Sequence, residues 1–404
     1  MRFKRSYGAV VLAVVLAVSL GACKKKEPTL SGENSETSAE TIRVGEVGSM
    51  TGTDATFGIS THQGISLAID EINKSGGIKG KRIELITLDN QGKPSEAVLA
   101  TTKLITQNHV VAVLGEVAST RSIAMAPIAQ NYKVPMISPS SINSKLTQQG
   151  DYIFRVCYID IFQSKVMANF AANHLKSRRV AILTDHKSDY SRDSAEIFKE
   201  YFTKATSGAG GTGAGGEIVM EQSYSAGDVD FRSQLTAIRA TKPDLILIPG
   251  HYTEVGLIAR QARDLGMEAP LLGGDAWDSP KLTEIGGKAL DGSYFVSHFN
   301  KVIPGPQVMG FVEKYKATYH AGIPDGLAAL GYDAALVLGD ALKRAKSLTP
   351  QDLRDALATT KDFQGVTGKI SINAERNAVK PALVFKIKKD GTYEVAASID
   401  PNAL

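Results

Sequence analysis

The sequence predicts an α/β protein built as two doubly wound, Rossmann-like lobes with mainly parallel sheets. Three observations carry this. From Thr41 onward, short β-rich runs alternate with longer segments of helical period. Several strand runs, such as Val110–Leu114 and Leu245–Pro249, are nearly continuous in apolar residues, as in parallel sheets covered on both faces. The chain's 404 residues exceed what one compact core usually holds, so the alternation divides into two domains.

The elements follow in order. Ile42–Val47 is a short β-rich run. Ile65, Ala68, Ile69 and Ile72 then fall at i, i+3, i+4 and i+7, the spacing of a helix with one buried face. Gly76-Gly77 ends that helix, because glycine tolerates the left-handed cap. Ile83–Leu88 is a second strand. Pro94 suits a first helical turn, and Val98, Thr101 and Ile105 carry a stripe toward His109. After Val110–Leu114 come a helix near Ser122–Tyr132 and a strand at Val134–Ser138. Later strands are expected at Val180–Thr184, Glu217–Met220, Leu245–Pro249, Leu271–Gly273 and Tyr294–Ser297. Helices are expected at Ser191–Lys204, Phe231–Ala240, Thr253–Leu265, Gln307–His320, Leu327–Lys346 and Pro350–Thr359.

The N-terminus has a different character. Arg2, Lys4 and Arg5 precede an apolar run from Gly8 to Leu20. The run is too short to span a bilayer, which takes about 20 residues, and has the length of a signal-peptide core. It ends in Leu20-Gly21-Ala22-Cys23, which resembles the bacterial lipobox. Residues 1–22 therefore read as a signal peptide and Cys23 as the lipidated residue. Residues 23–40 are polar and serve as a tether. The whole chain carries a net charge of +4, from 46 basic and 42 acidic residues. Cleavage removes three of the basic residues and none of the acidic ones, leaving no broad excess to attract nucleic acid.

Sequence-readable routes to catalysis are missing. Gly208, Gly210 and Gly213 have G-x-G-x-x-G spacing, but a helix pattern precedes them and a strand pattern follows. Phosphate binding needs the reverse order, so Ser207–Gly216 reads as a surface loop. G-x-S-x-G, H-E-x-x-H and C-x-x-C are absent, the histidines are scattered, and two cysteines cannot build a zinc cluster. The chain is read as a non-enzyme without metal or cofactor.

Five segments in order resemble the substrate-binding proteins of branched-chain amino-acid ABC transporters. They are Val47–Gly52, Ile72–Gly80, Ile137–Ser141, Gln261–Gly266 and Gly331–Ala334. The resemblance covers about residues 41–395. It implies the type I periplasmic binding-protein fold, with two α/β lobes joined by three crossovers and ligand held between them. Residues 41–160 with 299–380 would form the first lobe, and 161–298 with 381–404 the second.

The resemblance also implies a site. Val117, Ala118 and Ser119, with Ser140 and Ser141, match the strand-end loops that hold a ligand carboxylate; Ser119 also suits a helix cap. Tyr190, His251 and Tyr252 match aromatic lid contacts. Asp275 matches the acid that pairs with an α-ammonium group. Trp277, Phe57 and Leu327 match the apolar pocket, or else pack in the core. Ile142 stands where many members have a carboxylate-binding Thr, with Asn143 beside it as a replacement donor. Asp275 is shorter than the Glu of some members, and Gly92 and Ala118 replace a disulfide found in others. The implied function is capture of a small amino acid, branched-chain or apolar, by a lipid-anchored extracytoplasmic protein that delivers it to an ABC permease. The alternative is a sensory receptor for an amide, urea or aromatic acid. Cys157 is read as core filler.

Overall fold

A computed structural model describes residues 41–207 and 216–401 of the chain. The expected signal peptide, tether and lipid site at Cys23 lie outside the described residues, as do the glycines at 208, 210 and 213. A helix precedes that segment and a strand follows it.

The first half runs β1 (Ile42–Gly48), α1 (Ala55–Lys74), β2 (Ile83–Asp89), α2 (Pro94–Thr106), β3 (Ala112–Leu114), α3 (Ser119–Asn131), β4 (Met136–Ser138) and β5 (Ile153–Arg155). These strands form a parallel sheet of order β2-β1-β3-β4-β5. Next come α4 (Asp160–Asn169), β6 (Arg179–Asp185), α5 (Asp189–Ser207), β7 (Glu217–Tyr224), α6 (Arg232–Ala240), β8 (Leu245–Leu247), α7 (Tyr252–Asp264), β9 (Leu271–Gly273), α8 (Pro280–Gly286) and β10 (Tyr294–Ser297). The chain then returns to the first sheet with α9 (Pro306–Tyr319), α10 (Gly326–Arg344) and α11 (Pro350–Ala358). A small antiparallel sheet follows, β11 (Phe363–Gly365), β12 (Gly368–Ile372) and β13 (Ala378–Val379). Finally β14 (Ala382–Ile387) and β15 (Tyr393–Ile399) extend the second sheet, β15-β14-β10-β9-β8-β6-β7, with both pairings antiparallel.

Strand side chains alternate between two cores, as the period of two requires. In the first sheet Val44, Ala112, Leu114, Ile137 and Phe154 face the α1/α10 side, while Val47, Val113, Met136 and Ile153 face α2 and α3. In the second, Val180, Ile182, Leu245 and Leu272 join the core that also holds Phe198 and Phe202, while Ala181, Leu183, Ile246 and Leu271 pack toward α6 and α7. α1 lies tightly on α10. A Cβ on Gly64 would sit 1.9 Å from the Ala328 carbonyl oxygen, and one on Gly331 would sit 2.4 Å from that of Thr61. Both glycines are required by this close approach.

The chain passes between the sheets three times, after β5, after β10 and between β13 and β14. Several expectations needed adjustment. α3 starts at Ser119 rather than Ser122. Ala97, Ala100, Thr101, Leu104 and Ile105 form the buried face of α2, and Val98 is only half-buried. α4, α8 and the five C-terminal strands had no forecast. Cys157 is fully buried, and burial pushes its thiol up to about 12, so it fills core space and is unreactive. No helix among the described residues is long and apolar enough to cross a membrane.

Candidate functional site

Strand order places the site. In each sheet the order reverses about one strand, β1 between β2 and β3, and β6 between β7 and β8. Loops leaving the carboxyl ends of strands on either side of such a reversal diverge and open a crevice. In the first sheet these loops lead to Phe57 and to Val117–Ser119. In the second they lead to Tyr190 and His251. The two crevices face each other and enclose a cavity of about 20 Å³, lined by Phe57, Val117, Ala118, Ser119, Ser140, Tyr190, His251, Asp275, Ala276 and Leu327. That is room for about one water: hydrogen bonds from Tyr252 to Thr53 and from Asn143 to Asp193 hold the lobes shut, and a larger ligand requires them to part slightly.

Nine expected residues meet there, and three do not line the cavity. Ser141 is turned into the first lobe, where its hydroxyl lies 2.6 Å from that of Ser122 and 2.8 Å from the Val117 carbonyl oxygen. It braces the loop. Trp277 is 0% exposed; its indole N–H donates to the Ile248 carbonyl at 3.0 Å and its ring covers Gly273. It is core. Tyr252 donates its hydroxyl to the Thr53 carbonyl at 2.9 Å and so bridges the lobes. Ile142 is fully buried outside the cavity, and Asn143 donates to Asp193 across the lobes at 2.8 Å.

The two sides of the cavity have opposite polarity. On one side α3 begins at Ser119 with no cap from the Ala118 side chain; the buried Glu116 carboxylate accepts the Ala118 N–H, and the next N–H groups of the first turn remain for an anion. The Ser119 hydroxyl oxygen accepts the Asn143 amide at 3.3 Å, leaving its own hydrogen to donate. The Ser140 hydroxyl donates to the Val117 carbonyl at 3.2 Å. On the other side stands Asp275, 5% exposed. Its Oδ2 lies 3.1 Å from His298 Nε2, while Oδ1 makes no hydrogen bond of normal length among the described residues, although the Tyr190 hydroxyl stands close enough to interact with the same carboxylate. Burial and then the charge of Asp275 push the Tyr190 hydroxyl well above its ordinary range. Phe57, Val117, Ala276 and Leu327 supply the apolar wall.

A charged group with no counterpart in the motif reading closes the rim. Asp54, at the start of α1, pairs with Arg121 of the same lobe at 2.8 Å and with His251 of the other at 3.2 Å. Burial works to raise the Asp54 carboxyl, but His251 and Arg121 outweigh it and hold it well below the usual range. Burial works equally against the His251 imidazolium, and Asp54 again outweighs it, raising that pKa. Asp54 sits two residues beyond Gly52, so its nearness to the first motif was the one available signal. His298 and Gln163, which hold Asp275, lie in no motif.

A family model described as periplasmic binding protein matches residues 41–392. Among solved structures the chain is similar to LivK, a leucine binding protein from Thermotoga maritima. Identity is 37% and the TM-score 0.83, covering 90% of this chain and 100% of that one. It is also similar to LivJ, a branched-chain amino acid transporter substrate binding protein from Streptococcus pneumoniae in complex with isoleucine. There identity is 35% and the TM-score 0.81, over 89% of this chain and 99% of that one. A leucine-, isoleucine-, valine-, threonine- and alanine-binding protein of Pseudomonas aeruginosa is 27% identical over 88% of this chain and 92% of its own length.

Proposed function

The chain belongs to the periplasmic binding protein family, and from that premise we propose that it captures an α-amino acid with an apolar side chain between its lobes and delivers it to an ABC permease. The observation that carries this reading is the buried Oδ1 of Asp275, which makes no hydrogen bond of normal length, across the cavity from the first-turn N–H groups of α3. A zwitterion satisfies both at once, with its ammonium on Asp275 and its carboxylate on Ser119 and the helix amides. Binding one end to each lobe favours the closed form. We take Phe57, Val117, Ala118, Ser119, Ser140, Tyr190, His251, Asp275 and Leu327 as ligand-facing. The names of the relatives support a branched-chain or similar side chain. We assign residues 41–160 and 299–380 to one lobe and 161–298 and 381 onward to the other, following the sheet each segment joins.

A thermal-shift screen of the protein against amino acids, amides and aromatic acids tests this. A true ligand at 100 times its Kd stabilises by about 2.7 kcal/mol. A shift with aromatic acids alone would replace the amino-acid reading. The family places the protein outside the cytoplasm, and a lipid on Cys23 would hold it at the membrane. On that reading Cys23→Ala moves the protein from the membrane fraction to the soluble one; an unchanged distribution counts against it.

Closure is also expected to depend on pH. Parting the lobes removes Asp54 from His251 and returns the imidazole toward about 6.5. The groups facing it are Asp54, Arg121 and Glu254, with the Phe57 and Tyr190 rings. The closed form has the raised pKa, so its advantage is full below the open-form value and is lost as pH rises through the closed-form value. Affinity should fall as pH rises from about 6.5, the open-form value, through the raised closed-form value, with up to about one proton taken up per ligand. Calorimetry in buffers of different ionisation heat measures that uptake. No proton uptake, or affinity rising with pH, contradicts the linkage.

A further inference from the structure

We propose that His298 is the positioning residue that aims Asp275 at the ligand's ammonium group and ties that carboxylate to the hinge. The inference rests on the amino-acid reading above and extends it to a residue outside the cavity.

The geometry is specific. His298 directly follows β10, where the chain leaves the second sheet for the first. Its Nε2 lies 3.1 Å from Asp275 Oδ2. An imidazole lone pair pointed at a carboxylate would repel it, so Nε2 carries the hydrogen and Nδ1 is the bare nitrogen. Nδ1 has no hydrogen-bond partner among the described residues. The ring is stacked on Tyr158, with centroids 3.7 Å apart and planes 22° from parallel. Tyr158 lies on the first crossing, between β5 and α4. Its hydroxyl donates to Gln163 Oε1 at 3.3 Å, and the same oxygen accepts the Asp275 backbone N–H at 3.1 Å. Gln163 Nε2 donates in turn to the Tyr190 hydroxyl at 3.4 Å. Asp275 is thus held at its backbone and at one carboxylate oxygen, and the other oxygen is left for the ligand.

The choice of a histidine has a chemical consequence. Burial depresses the His298 pKa, against the pull of Asp275 and Asp278 and with the help of Lys380. A neutral donor fixes Oδ2 without cancelling the carboxylate's charge. A lysine or arginine at the same place would pair with Asp275 and remove the attraction for an ammonium group. Because Tyr158 and His298 belong to two different crossings, a change in hinge angle moves the clamp on Asp275. Ammonium recognition and closure are therefore one event.

The test compares binding of L-leucine and of 4-methylpentanoate, which has the same side chain and no amino group. His298→Phe keeps the ring on Tyr158 and removes the donor. His298→Asn is too short to reach Oδ2, and His298→Gln can place an amide N–H near the Nε2 position. His298→Phe and His298→Asn are expected to weaken L-leucine binding about tenfold and to narrow its advantage over 4-methylpentanoate. His298→Gln should stay within about threefold of the unaltered protein for L-leucine. Either short or aromatic variant suffices if the other does not fold. Equal loss for both compounds, no loss for either, or a His298→Gln variant as weak as His298→Asn overturns the proposal. If the unaltered protein binds no amino acid at all, the amino-acid reading itself fails, which is a separate result.

Discussion

Asp275→Ala is expected to weaken amino-acid binding by about 100-fold or more while leaving the ligand-free protein folded. A buried ammonium that loses its counter-charge forfeits a charge-assisted hydrogen bond in a closed, water-poor cavity, which costs about 2–5 kcal/mol. The ligand-free protein gains and loses in similar measure. The substitution removes a buried carboxylate oxygen without a hydrogen bond of normal length, which relieves a desolvation penalty, but it strands the His298 N–H. Titration calorimetry gives the affinity and a urea melt gives the stability. Affinity within about threefold of the unaltered protein would remove Asp275 from the ligand contact.

Arg121→Met should produce the largest loss of stability. Arg121 is buried between two carboxylates, Asp54 at 2.8 Å and Glu116 at 3.0 Å. Methionine fills most of the space and takes away the charge. Both acids are then buried with less compensation, and breaking such a pair costs about 3–5 kcal/mol. Glu116 keeps its bonds from Ser49, Asn90 and the Ala118 amide, so Asp54 bears most of the change. The free energy from urea unfolding should fall by that amount, and Arg121→Met with Asp54→Asn should recover part of it. A loss below about 1 kcal/mol would mean that water or backbone movement solvates the two acids.

Much of the fold was legible because parallel strands buried on both faces leave unbroken apolar runs. Leu271–Gly273 and Tyr294–Ser297 match their strands end for end. α4 was missed for the opposite reason. It buries Asp160, Gln163 and Ser164 along with Val166 and Met167, so no apolar stripe shows its period. α3 starts three residues early because Ala118, its N-cap, leaves no capping signal. At the site, strand-end loops brought Ser119, Tyr190 and His251 together as the topology requires. Residue type could not say which way a side chain turns within such a loop. Ser140 lines the cavity and Ser141 does not, although both are serines in one turn. Nor could it separate Trp277, held in the core by the Ile248 carbonyl, from Phe57 in the cavity wall. Gln163 reaches Asp275 from 112 residues before it and His298 from 23 residues after it, and no local pattern relates the three.

The close seating of α1 on α10 bears on how the protein is made. Ser60 on α1 bonds to Asp325, 265 residues later in the chain. The segment that covers α1 is therefore synthesised long after α1 itself, with the whole second sheet through β10 in between. Until it arrives, the face of α1 that carries Thr61, Gly64 and Ile72 lacks its cover. Contacts so distant in sequence slow folding, and exposed apolar surface in the interval invites aggregation. A nascent chain stopped before Gly326 carries all five strands of the first sheet and none of α10.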